Sequence, residues 1–98
     1  MIKYSIKKDD MIIVKVSGHA DYSDEGSDIV CASVSSILTM TINLIDNLGY
    51  KFENVKLEKG ISEFTVKSDE VINKIVTTLE ELLHSLVKKY PNNIKELI

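Results

Sequence analysis

Arginine is absent from the 98-residue chain, and cysteine occurs once. Without arginine there are no guanidinium forks to grip phosphate in a bidentate way. The lysines are scattered, adjacent only at Lys7-Lys8 and Lys88-Lys89. With a formal net charge of −3 and a pI near 5.3, the chain lacks the basic face that nucleic acid requires, so no direct nucleic-acid partner is expected. The acidic excess favours a basic partner, weakly. A lone cysteine closes no internal disulfide, which fits a thiol kept reduced in a cytoplasm. No unbroken apolar run reaches the ~18–20 residues of a membrane span. Residues 1–8 alternate apolar and polar, unlike a signal peptide, so no membrane partner is expected. One cysteine and two histidines, with His84 far along the chain, make no compact ligand set; neither metal nor cofactor is expected.

What is present has the length and composition of a single globular domain, residues 1–98, with 44% hydrophobic and 28% charged residues. A chain this short supports one modest core, and a cleft assembled from a loop or a second subunit fits it better than a deep closed pocket. Ile2, Tyr4 and Ile6, then Ile12, Val14 and Val16, alternate on either side of Asp9-Asp10, the pattern of a hairpin. Residues 18–27 are polar, carry Gly18 and Gly26 and show no period: a loop longer than most. Val30, Val34, Ile37, Leu38, Thr41, Ile45 and Leu48 then recur at helical spacing, with Asp28 or Ser27 as the cap and Gly49 as the stop. Along the same helix Ala32, Ser35, Ser36 and Thr39 form a stripe of small residues.

Residues 50–58 and 61–67 read as a second hairpin turning at Glu58-Lys59-Gly60. Phe52, Val55 and Leu57 do not alternate strictly, which calls for a bulge. A second helix starts at Ser68-Asp69-Glu70, keeps its apolar period from Val71 to Tyr90 and stops at Pro91; residues 92–98 read as a tail. The order ββαββα predicts an α+β fold, an antiparallel sheet with two helices packed on one face.

Cys31 lies three residues after Asp28, in the first turn of the first helix. Free N–H groups and the helix dipole favour negative charge there, so a thiolate nucleophile is favoured. The same N–H groups could hold the oxyanion of an attacked peptide carbonyl. A free cysteine is also among the residues most often buried for packing alone, and that reading stands beside the first. His19, at the exit of a strand and the start of the long loop, has the chemistry to take a thiol's proton near neutral pH, or is a loop histidine with no task. His84, among Leu82, Leu83 and Leu86, reads as a helix-surface or packing residue. Asp21 could orient His19 or be a solvated loop acid. Ser35, one turn after Cys31, is spaced to support the thiol or to pack closely.

The run Gly18-His19-Ala20-Asp21, then Gly26, then Asp28-Ile29-Val30-Cys31-Ala32 with Ser35 four residues on, resembles the Prp-type ribosomal-processing cysteine proteases, the YsxB family. The likeness extends over the length and element order of the whole chain, but its diagnostic part is residues 18–35. It implies a homodimeric cysteine protease that removes a short N-terminal extension from a precursor of a large-subunit ribosomal protein (number twenty-seven). It also implies His19 and Cys31 as the catalytic pair, Asp28 and Ser35 as motif partners, and the loop 20–27 as a segment that closes over substrate. The loop interior Tyr22-Ser23-Asp24-Glu25 is more acidic than that frame demands. Two other readings compete. One is a non-enzymatic ribosome-associated module with a structural cysteine; the other is a redox sensor, which would lack a resolving cysteine within the chain.

Overall fold

Alternating burial in the first seventeen residues comes from a hairpin of β1 (Ile2–Lys8) and β2 (Met11–Ser17) across Asp9-Asp10. Its register sets Tyr4 opposite Val16 and Ile6 opposite Val14. The computed structural model describes residues 1–24 and 28–97. Glu25, Gly26 and Ser27, which include the second loop glycine and the alternative helix cap, lie outside the described residues, as does Ile98.

β4 (Ile61–Lys67) pairs antiparallel with the other side of β2, setting Phe64 opposite Val14 and Val66 opposite Ile12. Tyr4, Ile12, Val14, Val16, Phe64 and Val66 therefore share one sheet face, and all are buried. β3 (Phe52–Glu58) pairs with β4 at the sheet edge. There Phe52 faces Val66 and Val55 faces Phe64, although 52 and 55 are an odd number of residues apart. A register shift between Phe52 and Asn54 absorbs the extra residue, which is the bulge the broken alternation calls for. It also sets the Phe52 and Phe64 rings edge to face, with centroids 5.8 Å apart.

Two helices cover the buried face. α1 (Ile29–Asn47) connects β2 to β3 and buries Val30, Val34, Leu38, Thr41, Ile42 and Ile45 at three- and four-residue steps. α2 (Glu70–Lys89) follows β4 and buries Ile72, Val76, Leu79 and Leu83. Asp69 caps α2, its Oδ1 accepting the Ile72 N–H at 2.8 Å while Oδ2 accepts the Tyr50 hydroxyl at 2.6 Å. Glu70 in the first turn and Lys88 and Lys89 in the last complement the helix dipole. His84 lies exposed on α2, 3.1 Å from Glu96 Oε1.

One expectation needs correction. The segment after Pro91 is not a simple tail, because β5 (Ile94–Glu96) pairs parallel to β1, with Ile94 beside Ile2. The sheet is thus five-stranded, β3-β4-β2-β1-β5, and antiparallel except at this last pair. Three residues are too few to show alternation, and the free edge of β1 that receives them is more than eighty residues back in sequence. α1 is by length and composition apolar enough to cross a bilayer. No single unbroken run creates that property, since serines, threonines and asparagine punctuate it. Its buried stripe packs in the domain core.

Ile94 is fully buried. Ile94→Ala is expected to cost about 2–4 kcal/mol of unfolding free energy, read from chemical denaturation, against almost nothing for a true tail.

Candidate active site

Antiparallel pairing brings the start of β1, the exit of β2, the end of β3 and the start of β4 to the same end of the sheet. The N-terminus of α1 is at that end too, and an open cleft of about 620 Å³ lies between these parts. Ile2, Val16, Val34, Leu38 and Ile61 give it an apolar floor. His19, Cys31, Gly18, Asp21, Asp28 and Ser35 all line it, together with the β3–β4 turn at Glu58, Lys59 and Gly60.

Gly18 makes the exit from β2 possible. Its φ is +93°, and a Cβ there would collide with the Met1 carbonyl oxygen, so any side chain is refused twice over. Its N–H donates to the Gly60 carbonyl at 2.9 Å and ties the exit to the β3–β4 turn. His19 follows, exposed, with its ring over that turn: Nε2 lies 3.3 Å from where a Gly60 Cβ would stand. Among the described residues the ring has no hydrogen-bond partner. Ala20 then turns inward and is almost wholly buried, and its N–H donates to Cys31 Sγ at 3.2 Å. The Ala20 carbonyl accepts from Asn93 Nδ2 at 2.9 Å.

Asp28 is the cap of α1, and its carboxylate binds four backbone N–H groups. Oδ1 accepts from Val30 and Cys31, each at 3.0 Å, and Oδ2 from Tyr22 at 2.9 Å and Ser23 at 3.3 Å. Burial pushes this carboxyl up, but the N–H groups of Cys31, Tyr22, Ser23 and Val30 together outweigh it and hold the group below the usual carboxylate range. One consequence corrects the expectation from sequence. The N–H groups of Val30 and Cys31 are already taken by the cap, and that of Ala32 donates to the Asp28 carbonyl at 3.0 Å. These helix-end donors are not open to an oxyanion. The donor aimed at the sulfur comes instead from Ala20 in the loop.

Asp21 is also engaged elsewhere. It holds a left-handed backbone at φ 55°, and its exposed carboxylate takes the Met1 ammonium at 3.1 Å rather than the His19 ring. Ser35 is exposed on the cleft wall one turn beyond Cys31, and its hydroxyl has no hydrogen-bond partner among the described residues. Gly26 lies outside the described residues. Sequence reasoning missed Asn93, Gly60 and the Ala20 N–H. Gly60 was visible only as a turn glycine. Nothing local marks Asn93, whose partner is 73 residues away. The described residues hold no cluster of histidine, cysteine and carboxylates fit for a metal ion.

Residues 1–95 match the family model described as cysteine protease Prp. The chain is 29% identical over 86 residues to the ribosomal processing cysteine protease Prp of Staphylococcus aureus, covering 84% of this chain and 81% of that protein. It is 26% identical over 94 residues to the protein of the same name from Mycoplasma genitalium, covering 96% and 92%. Its fold is similar to the crystal structure of the essential S. aureus ribosomal processing protease Prp in complex with a covalently linked product peptide. The TM-score is 0.81 at 28% identity, covering 98% of this chain and 97% of that one.

Asp28→Ala should lower stability by about 2–3 kcal/mol, since a lost cap costs about 1 and each of two loop hydrogen bonds about as much again. Because the folded carboxyl lies below its ordinary 3.8, the stabilisation is present in full above that value and disappears as the pH falls through the folded one. Acid unfolding of the wild type should therefore be steeper than that of Asp28→Ala, with the two curves converging at low pH in a circular-dichroism titration.

Proposed function

The chain belongs to the Prp cysteine protease family and is a cysteine protease; from that premise we propose that Cys31 is its nucleophile and His19 its acid–base partner. The observation that carries the proposal is the shared cleft, in which Cys31 Sγ receives a backbone N–H and His19 stands exposed on the rim. A non-enzymatic module is set aside by the family.

The thiolate of Cys31 attacks the scissile carbonyl carbon, forming a C–S bond, and the carbonyl π pair moves onto oxygen. As the tetrahedral intermediate collapses, the C–N bond breaks and His19, as imidazolium, gives its proton to the leaving amine. Water then attacks the thioester, His19 takes the water's proton, and the Cys31 thiolate leaves. The S. aureus relative in complex with a covalently linked product peptide supports such a covalent route.

The substrate is the precursor of a large-subunit ribosomal protein (number twenty-seven), cut behind a short N-terminal extension in the cytoplasm. The support is the motif of residues 18–35 and the ribosomal-processing role in the names of the relatives. Acids at the cleft, Asp21 and Glu58 among them, suit a basic segment of ribosomal protein. The enzyme works as a homodimer. Support for this comes from α1, where Met40 is 69% exposed and Leu44, Ala32, Ser36 and Thr39 are also exposed.

Cys31→Ala should abolish cleavage of the extended precursor, read by mass spectrometry, while the circular-dichroism spectrum stays that of the wild type. His19→Ala should slow cleavage by about 10²–10⁴-fold. Retained cleavage by Cys31→Ala would sink the nucleophile assignment. Light scattering at micromolar concentration should give twice the 11.0 kDa chain mass, and the single-chain mass would count against the dimer.

A further inference from the structure

Ala20 is held from both sides. Its N–H donates to Cys31 Sγ at 3.2 Å, and its carbonyl accepts from Asn93 Nδ2 at 2.9 Å. Its methyl group is buried in the core, which leaves the residue little rotational freedom. Asn93 is itself fixed by the main chain, its carbonyl accepting the Ile2 N–H at 2.9 Å and its N–H donating to the Tyr90 carbonyl at 3.0 Å. A second contact joins the same two segments. The Tyr22 ring meets the Tyr90 ring edge to face with centroids 5.3 Å apart. The corner between α2 and β5 thus grips the start of the loop between His19 and Cys31 at two points.

We propose that Asn93 is a positioning residue for the reaction: by holding the Ala20 carbonyl it presents the Ala20 N–H to the Cys31 sulfur. The inference rests on Cys31 as the nucleophile. The physical reason is that Asp28 has taken the N–H groups of Val30 and Cys31 at the helix end. Among the described residues the Ala20 N–H is the backbone donor directed at Sγ. A donor to a charged acceptor works only when aligned, and alignment here depends on what fixes the next peptide along the chain. Asn93 does not touch the substrate, so its loss should act on the chemical step more than on binding.

The test compares Asn93→Asp, Asn93→Ala and Asn93→Gln with the wild type. Asn93→Asp keeps the shape but turns an acceptor toward the Ala20 carbonyl. Asn93→Ala removes the side chain, and Asn93→Gln carries the amide one methylene too far and serves if the other two fail to fold. Two readouts are taken on folded protein: kcat and KM for the extended ribosomal-protein precursor, and the rate of Cys31 alkylation by iodoacetamide at pH 6. The expected result is a kcat lower by about tenfold, KM within about twofold, and alkylation slowed several-fold. A merely structural role would loosen the site and leave alkylation unchanged or faster. Wild-type kcat, or alkylation that is not slowed, in a folded variant overturns the proposal. Failure of the nucleophile assignment would show differently, as cleavage that survives Cys31→Ala.

Discussion

The Asp28 carboxylate is the joint on which the site depends. Two of its hydrogen bonds close the first turn of α1, and two hold the loop at Tyr22 and Ser23. A cap that served the helix alone would leave the loop to find its own path. A carboxylate with both oxygens committed fixes the loop to the helix end that carries Cys31. Asp suits this better than the other good cap residues, because a Ser or Thr hydroxyl offers one oxygen where the carboxylate offers two. The ionised form is the one that these donors favour, so the joint is firmest where the group is charged.

A domain of this size has little core to spare for a closed pocket, and the cleft is built instead from the ends of elements. Strand ends are where backbone direction changes and where side chains escape the alternation of the sheet. Gly18 permits the escape, because its positive φ and the nearby Met1 carbonyl admit no side chain. Gly60 in the facing turn leaves room for the His19 ring. The core behind these ends supplies rigidity: Val30 and Val34 anchor the first turns of α1 among the sheet residues. The sulfur therefore rides on one of the better-packed parts of the molecule.

Much of this was legible in sequence because it is written in short-range patterns. Period-two runs marked β1, β2 and β4, period-3.6 runs marked both helices, and the misfit of Phe52 and Val55 foretold the bulge between Phe52 and Asn54. The capping role of Asp28 followed from its position before the apolar run. What was missed depends on partners far away. β5 is three residues long and needs the edge of β1 to exist at all. Nothing in the sequence around Asp21 gives a sign that it turns to the Met1 ammonium. The occupation of the helix-end donors was hidden for a different reason. Sequence shows that a cap is present, but only geometry shows that both N–H groups nearest the cysteine are consumed by it.

Cys31 and His19, the pair proposed for the chemistry, are held in unlike ways. Cys31 is fixed by its helix, by the Asp28 bond to its own N–H and by the Ala20 N–H on its sulfur. His19 has its backbone pinned on either side, through Gly18 to Gly60 and through Ala20 to Cys31 and Asn93. Its ring, exposed over the turn, has no hydrogen-bond partner among the described residues. In the proposed reaction the base must take a proton at sulfur and deliver it at the leaving nitrogen, which are two different positions. A ring free about its side-chain bonds on a fixed backbone can adjust to both positions. Asp21 is drawn to the Met1 ammonium, so in the proposed reaction the His19 ring would take its final orientation from the bound peptide rather than from that carboxylate.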